Sequence, residues 1–292
     1  MDVPQGDSEE SARPGPCGSV VIPAHNEASV IARCLEALLD GISPAELEVT
    51  VVCNGCTDDT AVRARTTSPL VTVVELSEAS KPAALRAGDR ASTAFPRIYL
   101  DADIVLPARS VRLLLGALRT GPHLAVRPAV RYDTRRSSAV VRSYYRARGR
   151  LPTMRQHLWG AGTYGLSRDG RARFADYPDL VADDLFVDGL FNPDEKTVVS
   201  DAVVVVTAPS RLRGLLAILR RTYRGNAEQR SLNPEHAPSS RGTVSDLRRL
   251  AGSSPLALLD ALTYGICSVS GRVLARASSS VRWERDESSR TG

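Results

Sequence analysis

The chain has 292 residues, 42% of them hydrophobic and 24% charged, with a formal net charge of +5. That length and balance provide a full-sized core in one large domain or two ordinary ones, and they exclude a disordered or collagen-like body. The charge is uneven: nine Arg stand against one Asp over residues 127–155, and six Arg against one Glu over 209–230, so an anionic partner is expected, with a solvated basic face as the plain alternative.

Among five cysteines, Cys53 and Cys56 have Cys-x-x-Cys spacing, but a structural zinc site needs two further ligands at matched spacing, and Cys17, Cys34 and Cys267 are scattered. The odd count argues against a disulfide framework, and residues 1–18 are polar rather than secretory in character, so a cytoplasmic location is expected. No apolar run reaches the roughly 18 uncharged residues of a convincing membrane span. The nearest, residues 255–270, carries Asp260.

Residues 1–17 read as a flexible tail. Ser19–Pro23 is an apolar strand, and Ala28–Leu39 a helix with Val30, Ile31, Cys34, Leu35 and Leu38 at helical spacing, ended by Gly41. Leu47–Cys53 is the second strand; the turn Asn54-Gly55-Cys56 follows, with Thr57 as expected N-cap of a helix opened by Asp58 and Asp59. Val71–Leu76 and Pro82–Ser92 form a third strand and helix; a strand leading into Asp101 and a helix at Ala108–Leu118 form a fourth pair. Such alternation predicts an α/β fold, a parallel sheet with helices on both faces.

Beyond residue 120 the alternation breaks. Strands are expected at Leu124–Val130 and Ala202–Thr207, a basic helix at Ser137–Arg148, a basic amphipathic helix at Arg211–Tyr223 and an apolar helix at Leu256–Ala277. Between them, Trp159 to Gly165 is laced with glycines, suiting a backbone that lines a pocket, or simply turns. Leu180–Val187 sets Asp183 and Asp184 inside an apolar run.

The chemistry centres on Phe95–Pro107, an apolar strand running into Asp101 and Asp103. Carboxylates at the end of a buried strand are costly unless paired or metal-bound, and ligands of open α/β sheets bind at the carboxyl ends of strands. Mg²⁺ or Mn²⁺ would suit, taking one or two carboxylates and completing its shell from substrate phosphates. The alternative is that Asp103 caps the helix near Pro107 or that both residues sit in a solvated turn.

Taken in order, the motifs resemble the GT-A glycosyltransferases of family 2, inverting enzymes that use nucleotide-diphosphate sugars. The motifs are Val21–Glu27, Cys53–Thr60, Lys81–Gly88 (with Arg86 where Asn is usual), Asp101-Ala102-Asp103, Ala182-Asp183-Asp184 and Arg221–Asn226, where Thr222 or Tyr223 replaces a usual Trp. The resemblance implies a GT-A fold over residues 18–230, a Rossmann-like, parallel-rich mixed sheet flanked by helices, with a C-terminal helical extension and polar tail over 231–292. It implies a nucleotide-sugar site of Pro23, Ala24, Asn26, Glu27, Asn54, Lys81, Asp101, Ala102, Arg221 and Arg224. It further implies Asp103 and Asp101 as the Mg²⁺ or Mn²⁺ site, Asp184 as catalytic base with Asp183 as its support, and Trp159, Gly160 and Gly162 on the acceptor side. His25 reads as a local structural residue.

The implied partners are a nucleotide-diphosphate sugar and a hydroxyl acceptor (glycan, lipid-linked or small molecule), as in polysaccharide biosynthesis. Two rivals are a nucleotidyltransferase, which would want a Gly-rich phosphate loop where Pro23–Glu27 stands, and a non-catalytic nucleotide-sugar-binding protein, which would not need Asp101, Asp103 and Asp184 together. Nucleic acid is not an expected partner: only 5% of residues are aromatic and no recognisable binding motif is present. Arg211–Tyr223 and the helix from Leu256 together suggest a peripheral contact with the inner face of a membrane, against the alternative that both pack on the sheet.

Overall fold

A computed structural model describes residues 16–180, 182–232 and 240–277. The tail expected at residues 1–17 therefore lies outside the described residues except for Pro16 and Cys17, as does the polar tail beyond Ala277.

Seven strands form one sheet: β1 (Ser19–Ala24), β2 (Glu48–Asn54), β3 (Val71–Leu76), β4 (Arg97–Leu100), β5 (Ala125–Asp133), β6 (Thr163–Leu166) and β7 (Lys196–Thr207), in the order β3-β2-β1-β4-β6-β5-β7. All six residues of β1 are buried, as expected of an apolar strand covered on both faces. β1 pairs in parallel with β2 and β4, and β5 with β7, but β6 runs antiparallel to both β4 and β5. The sheet is thus mixed rather than wholly parallel as alternation alone implied, because the glycine-rich segment turns the chain into β6 between β4 and β5 and antiparallel to both. β1 has β2 on one side and β4 on the other, and the chain's direction of progress across the sheet reverses there, which opens a crevice at their carboxyl ends.

The helices of the first half are α1 (Ile31–Leu39), α2 (Thr60–Thr67), α3 (Lys81–Ala91) and α4 (Ala108–Thr120). α1 begins three residues later than its periodicity suggests, since the Glu27 carbonyl accepts from both Val30 and Ile31 and holds residues 27–30 in a turn. α3 opens on Ser80, whose side chain accepts from Ala83 N, with Pro82 in the first turn. It presses on β1 so closely that a Cβ on Gly88 would lie 2.2 Å from Val21 Cγ1. Asp89 binds Arg97, Arg171 and the Tyr99 hydroxyl, the last at 2.6 Å. This tethers α3 to β4 and to the short α6 (Arg168–Arg171).

The second half adds α5 (Ala139–Arg150), a 3₁₀ turn (Pro152–Arg155), α7 (Asp183–Asp188), α8 (Leu212–Leu232), α9 (Ser240–Ala251) and α10 (Pro255–Ala277). α5, α8 and α10 share an apolar cluster around Val141, Leu215, Leu219 and Tyr264, with Tyr144 stacked on Tyr264 at 4.8 Å. Asp260, fully buried, accepts from Ser143 Oγ at 2.6 Å and from Arg146 at 2.7 and 3.0 Å. α8 runs past residue 230 without a break, and α9 is an element that sequence reasoning passed over.

Candidate active site

Two turns at the carboxyl ends of β1 and β2 are laced into one wall. Asn26 takes a left-handed conformation (φ 53°), and its Oδ1 accepts from Thr57 N at 2.7 Å. Glu27 N donates to Thr60 Oγ1 and Ala28 N to Asp58 Oδ2. Asn and Asp tolerate or stabilise such turns through their short side chains. Thr57 is therefore not the N-cap of α2: Asp59 occupies that place without a side-chain cap bond, and Asp58 bonds Thr60 instead. Asn54 is 4% exposed, and its amide donates to Ala24 O, so it braces the two strand ends. Pro23, Ala24 and Ala102 are also buried, leaving their side chains to shape the crevice from behind. His25 Nδ1 meets Asn54 O at 2.6 Å, the structural role expected of it. The Cys53 thiol is pushed up to about 12 by burial and by neighbouring Cys56, and both cysteines are free.

Across the crevice stands an acidic cluster. Asp101 follows β4 directly, and its amide donates to Gly162 O at 2.8 Å. Lys81, at the start of α3, places Nζ 2.7 Å from Asp101 Oδ1 and 2.8 Å from Asp183 Oδ1. Burial alone would lower its pKa, but Asp101 and Asp183 raise it. Lys81, expected in the nucleotide-sugar site, is thus held between two carboxylates. Asp183 Oδ2 also accepts from the Tyr164 hydroxyl at 3.1 Å. At Gly162 (φ 65°) a Cβ would stand 2.6 Å from Ile104 Cγ1 and 3.3 Å from Asp101 Oδ2, so glycine there lets the backbone pass against the acidic loop.

Asp183 and Asp184 open α7, where adjacent side chains diverge by about 100°. Asp184 accepts from Gly160 N at 3.0 Å. Its pKa is pushed up to about 6 by burial and by the adjacent Asp183 charge, against the Gly160 N–H, which lowers it. The loop bearing Gly160 is held by Asp188 at the far end of α7, which accepts from Leu158 N at 2.7 Å and pairs with His157 at 2.9 Å and Lys196 at 2.8 Å. Burial would raise the Asp188 pKa, but His157 and Lys196 hold it below the usual carboxylate range. Trp159 stacks on His157 at 5.0 Å.

Lys81, Asp101, Asp183 and Asp184 are therefore drawn together with the loop of Trp159, Gly160 and Gly162 from four separate stretches of chain. Arg221 and Arg224 lie on α8 beside Gly225, where a Cβ would come within 3.1 Å of Ala182 Cβ at the start of α7, so this part of α8 adjoins the cluster. Sequence reasoning passed over Tyr164 and Asp188, polar residues within apolar runs whose partners are distant in the chain. For a divalent cation, the donor set fits. Asp101 and Asp103 offer hard oxygen donors two residues apart at a strand end, and no group of three or more His, Cys, Asp or Glu converges among the described residues. That is the sparse protein shell Mg²⁺ or Mn²⁺ takes when phosphates and water complete it.

The sequence profile of glycosyl transferase family 2 matches residues 19–175, more than half of the chain. The chain belongs to that family. The family 2 assignment makes it a glycosyltransferase, and the matched stretch holds the paired turns, Lys81, Asp101, Asp103 and the Gly160 loop. No curated protein sequence matches it significantly. Among solved structures, the mannosyltransferase PcManGT from Pyrobaculum calidifontis, in complex with GDP-Man and Mn²⁺, is similar over 90% of this chain and 86% of its own, with 20% identity and a TM-score of 0.63. Glucosyl-3-phosphoglycerate synthase from Mycobacterium tuberculosis, in complex with Mn²⁺, UDP and glucosyl-3-phosphoglycerate, is similar over 79% of this chain and 84% of its own, with 24% identity and a TM-score of 0.52. At these identities the likeness shows a shared GT-A fold.

Proposed function

We propose that this family 2 enzyme transfers a sugar from a nucleotide-diphosphate donor to an acceptor hydroxyl with inversion, Asp184 serving as general base. The observation that carries this is the placing of Asp184: a carboxylate with a raised pKa, oriented by Gly160 N, one residue from the Lys81-bound Asp183. The turns at Asn26–Glu27 and Cys53–Thr60 would hold the nucleoside, and Asp101 with Asp103 would hold Mg²⁺ or Mn²⁺, the ion that accompanies the nucleotides in the similar solved structures. When bound, the cation neutralises charge on the leaving diphosphate. Lys81 fixes Asp101 and Asp183, and Arg221 and Arg224 supply positive charge from α8. Asp184 takes the acceptor proton while the acceptor oxygen bonds the anomeric carbon from the face opposite the leaving group and the C–O bond to phosphate breaks, its electron pair leaving with the diphosphate. A single displacement inverts the anomeric centre. Incubation with UDP- and GDP-sugars, Mn²⁺ and an acceptor panel, with NMR of the product, tests this: retained configuration overturns it.

We further infer that the enzyme works at an anionic membrane surface. α8 cannot provide the contact suggested by its sequence, because Leu215 and Leu219 are buried against the C-terminal cluster. α10 can. It is the described helix long and apolar enough to cross a bilayer, yet Asp260 ties it to Ser143 and Arg146 on α5, and insertion as a span would carry that carboxylate into hydrocarbon. Its opposite face exposes Leu259, Leu262, Ile266, Val269 and Val273, with Ile266 67% exposed. Every exposed charge described on α8, α9 and α10 is arginine, Asp246 and Asp260 being buried. An apolar stripe on a helix whose exposed charges, Arg272 and Arg276, are both basic complements an anionic lipid surface, whereas a second copy would bring like charges together. Flotation with phosphatidylglycerol-containing vesicles is expected, and loss of flotation in L262E/I266E. No flotation, or a concentration-dependent dimer in light scattering without lipid, overturns it.

A further inference from the structure

Arg148, on α5, is mostly buried and plays no part in the mechanism above. Its Nε donates to the Tyr132 hydroxyl at 2.8 Å, and its guanidinium lies over the Trp159 ring at 5.7 Å. Among the described residues no carboxylate pairs with it, and Tyr132 is its sole hydrogen-bond partner. A guanidinium drawn out of water without an anion is costly, and rings on its faces offset only part of that. The nearby Arg127 adds repulsion. It is 4% exposed, with its donors committed to the carbonyls of His157, Pro128 and Met154, and burial together with Arg148 pulls its pKa down to about 10. The Trp159 indole N–H, buried in the same loop, also lacks an acceptor.

What places Arg148 at the reaction centre is Gly160. A Cβ on that residue would lie 2.9 Å from Arg148 Nη2, while its amide donates to Asp184 Oδ2 at 3.0 Å. A single glycine thus separates from the proposed base a guanidinium that has tyrosines but, among the described residues, no carboxylate as partners. In the glycosyltransfer reading Asp101, Asp103 and Lys81 serve the donor, which leaves Arg148 Nη2, beside Gly160, for the acceptor.

We propose that Arg148 binds a phosphate carried by the acceptor, setting the neighbouring hydroxyl against Asp184. A guanidinium edge matches two phosphate oxygens with parallel N–H bonds. The inference rests on the glycosyltransfer reading and names the acceptor's chemical class within it. The phosphate could reside on a soluble monoester or in a lipid headgroup, and the probes separate these sources.

With the enzyme saturated by Mn²⁺ and UDP or GDP, whichever binds, methyl phosphate is titrated by calorimetry. In flotation, phosphatidylcholine vesicles carrying phosphatidic acid are compared with vesicles carrying an equal share of phosphatidylglycerol, whose attraction for α10 is common to both. Wild-type enzyme is expected to bind methyl phosphate on top of the nucleotide, and R148Q to bind it at least tenfold more weakly with nucleotide affinity unchanged. A loss confined to phosphatidic acid vesicles assigns the phosphate to a lipid. R148K keeps the charge but not the fork, and is read if R148Q does not fold: severalfold weaker binding supports the proposal and unchanged binding overturns it. Absence of methyl phosphate and phosphatidic acid binding to the nucleotide-saturated enzyme, or equal binding by R148Q, also overturns it. Failure of nucleotide binding itself would instead count against the glycosyltransfer reading.

Discussion

Lys81 Nζ lies 2.8 Å from Asp183 Oδ1 while also holding Asp101 at 2.7 Å, so one ammonium joins the acid at the end of β4 to the acid that opens α7. Removing it would leave two carboxylates facing each other, one of them, Asp183, only 9% exposed, and uncompensated charge at such depth is costly. K81M is expected to lose at least about 10²-fold in turnover and about 1–3 kcal/mol of stability, as for a charge-assisted bond left half-made. Steady-state kinetics and urea unfolding check both, and wild-type turnover in K81M would remove Lys81 from the site.

Asp103 is assigned to the cation on donor chemistry and place alone. D103A is expected to abolish the Mn²⁺ dependence of nucleotide-sugar binding while leaving the unfolding midpoint nearly unchanged, because the residue lies in the loop after β4 and not in the core. Titration calorimetry with and without EDTA measures it. Equal Mn²⁺-dependent affinity in D103A and wild type would refute the assignment.

Much of this was legible in the sequence, because β1, β2, α1 and α4 announce themselves by apolar runs and local periodicity, and α2 by the acids that precede it. The acids were legible too: Asp101, Asp103, Asp183 and Asp184 stand out as charges in apolar context, which burial makes costly unless they are paired. What stayed hidden depends on partners remote in the chain. Lys81 reads as one member of a nucleotide-sugar site until the fold sets it between Asp101 and Asp183, and the Asn54 amide reaches Ala24 O on a strand distant in the chain. The antiparallel β6 is only four residues long, too short to show its direction, whereas α9 was passed over although Val244, Leu247 and Ala251 fall at helical spacing.

Asp89 offers a test of the fold away from the chemistry. It holds Arg97, which is 3% exposed at the side chain, together with Arg171 and Tyr99. D89A strands a buried guanidinium and is expected to cost about 3–5 kcal/mol. D89N keeps some of the hydrogen bonding and should cost less. Denaturant unfolding decides, and a D89A loss below about 1 kcal/mol would mean that the network contributes little.

Asp184 gives the sharpest pH signature. Its folded pKa, about 6, stands above the ordinary value of 3.8, so the carboxylate is the working base only when the pH exceeds about 6. The kcat/KM of wild-type enzyme should fall about tenfold per pH unit below that point. Stability should move the other way. A carboxyl whose pKa is raised on folding binds its proton more tightly in the native state, so its favourable contribution is complete below the unfolded pKa and is lost as pH rises through about 6. D184N removes the charge but keeps an oxygen for Gly160 N, and should therefore lose about 10²–10⁴ in turnover while gaining on the order of 1–3 kcal/mol of stability at pH 7.5. D183N should lose less turnover and gain no such stability, because Lys81 and Tyr164 already compensate Asp183. A D184N variant that turns over normally, or that unfolds more easily than wild type at pH 7.5, would mean that Asp184 is neither the base nor the strained charge at the head of α7.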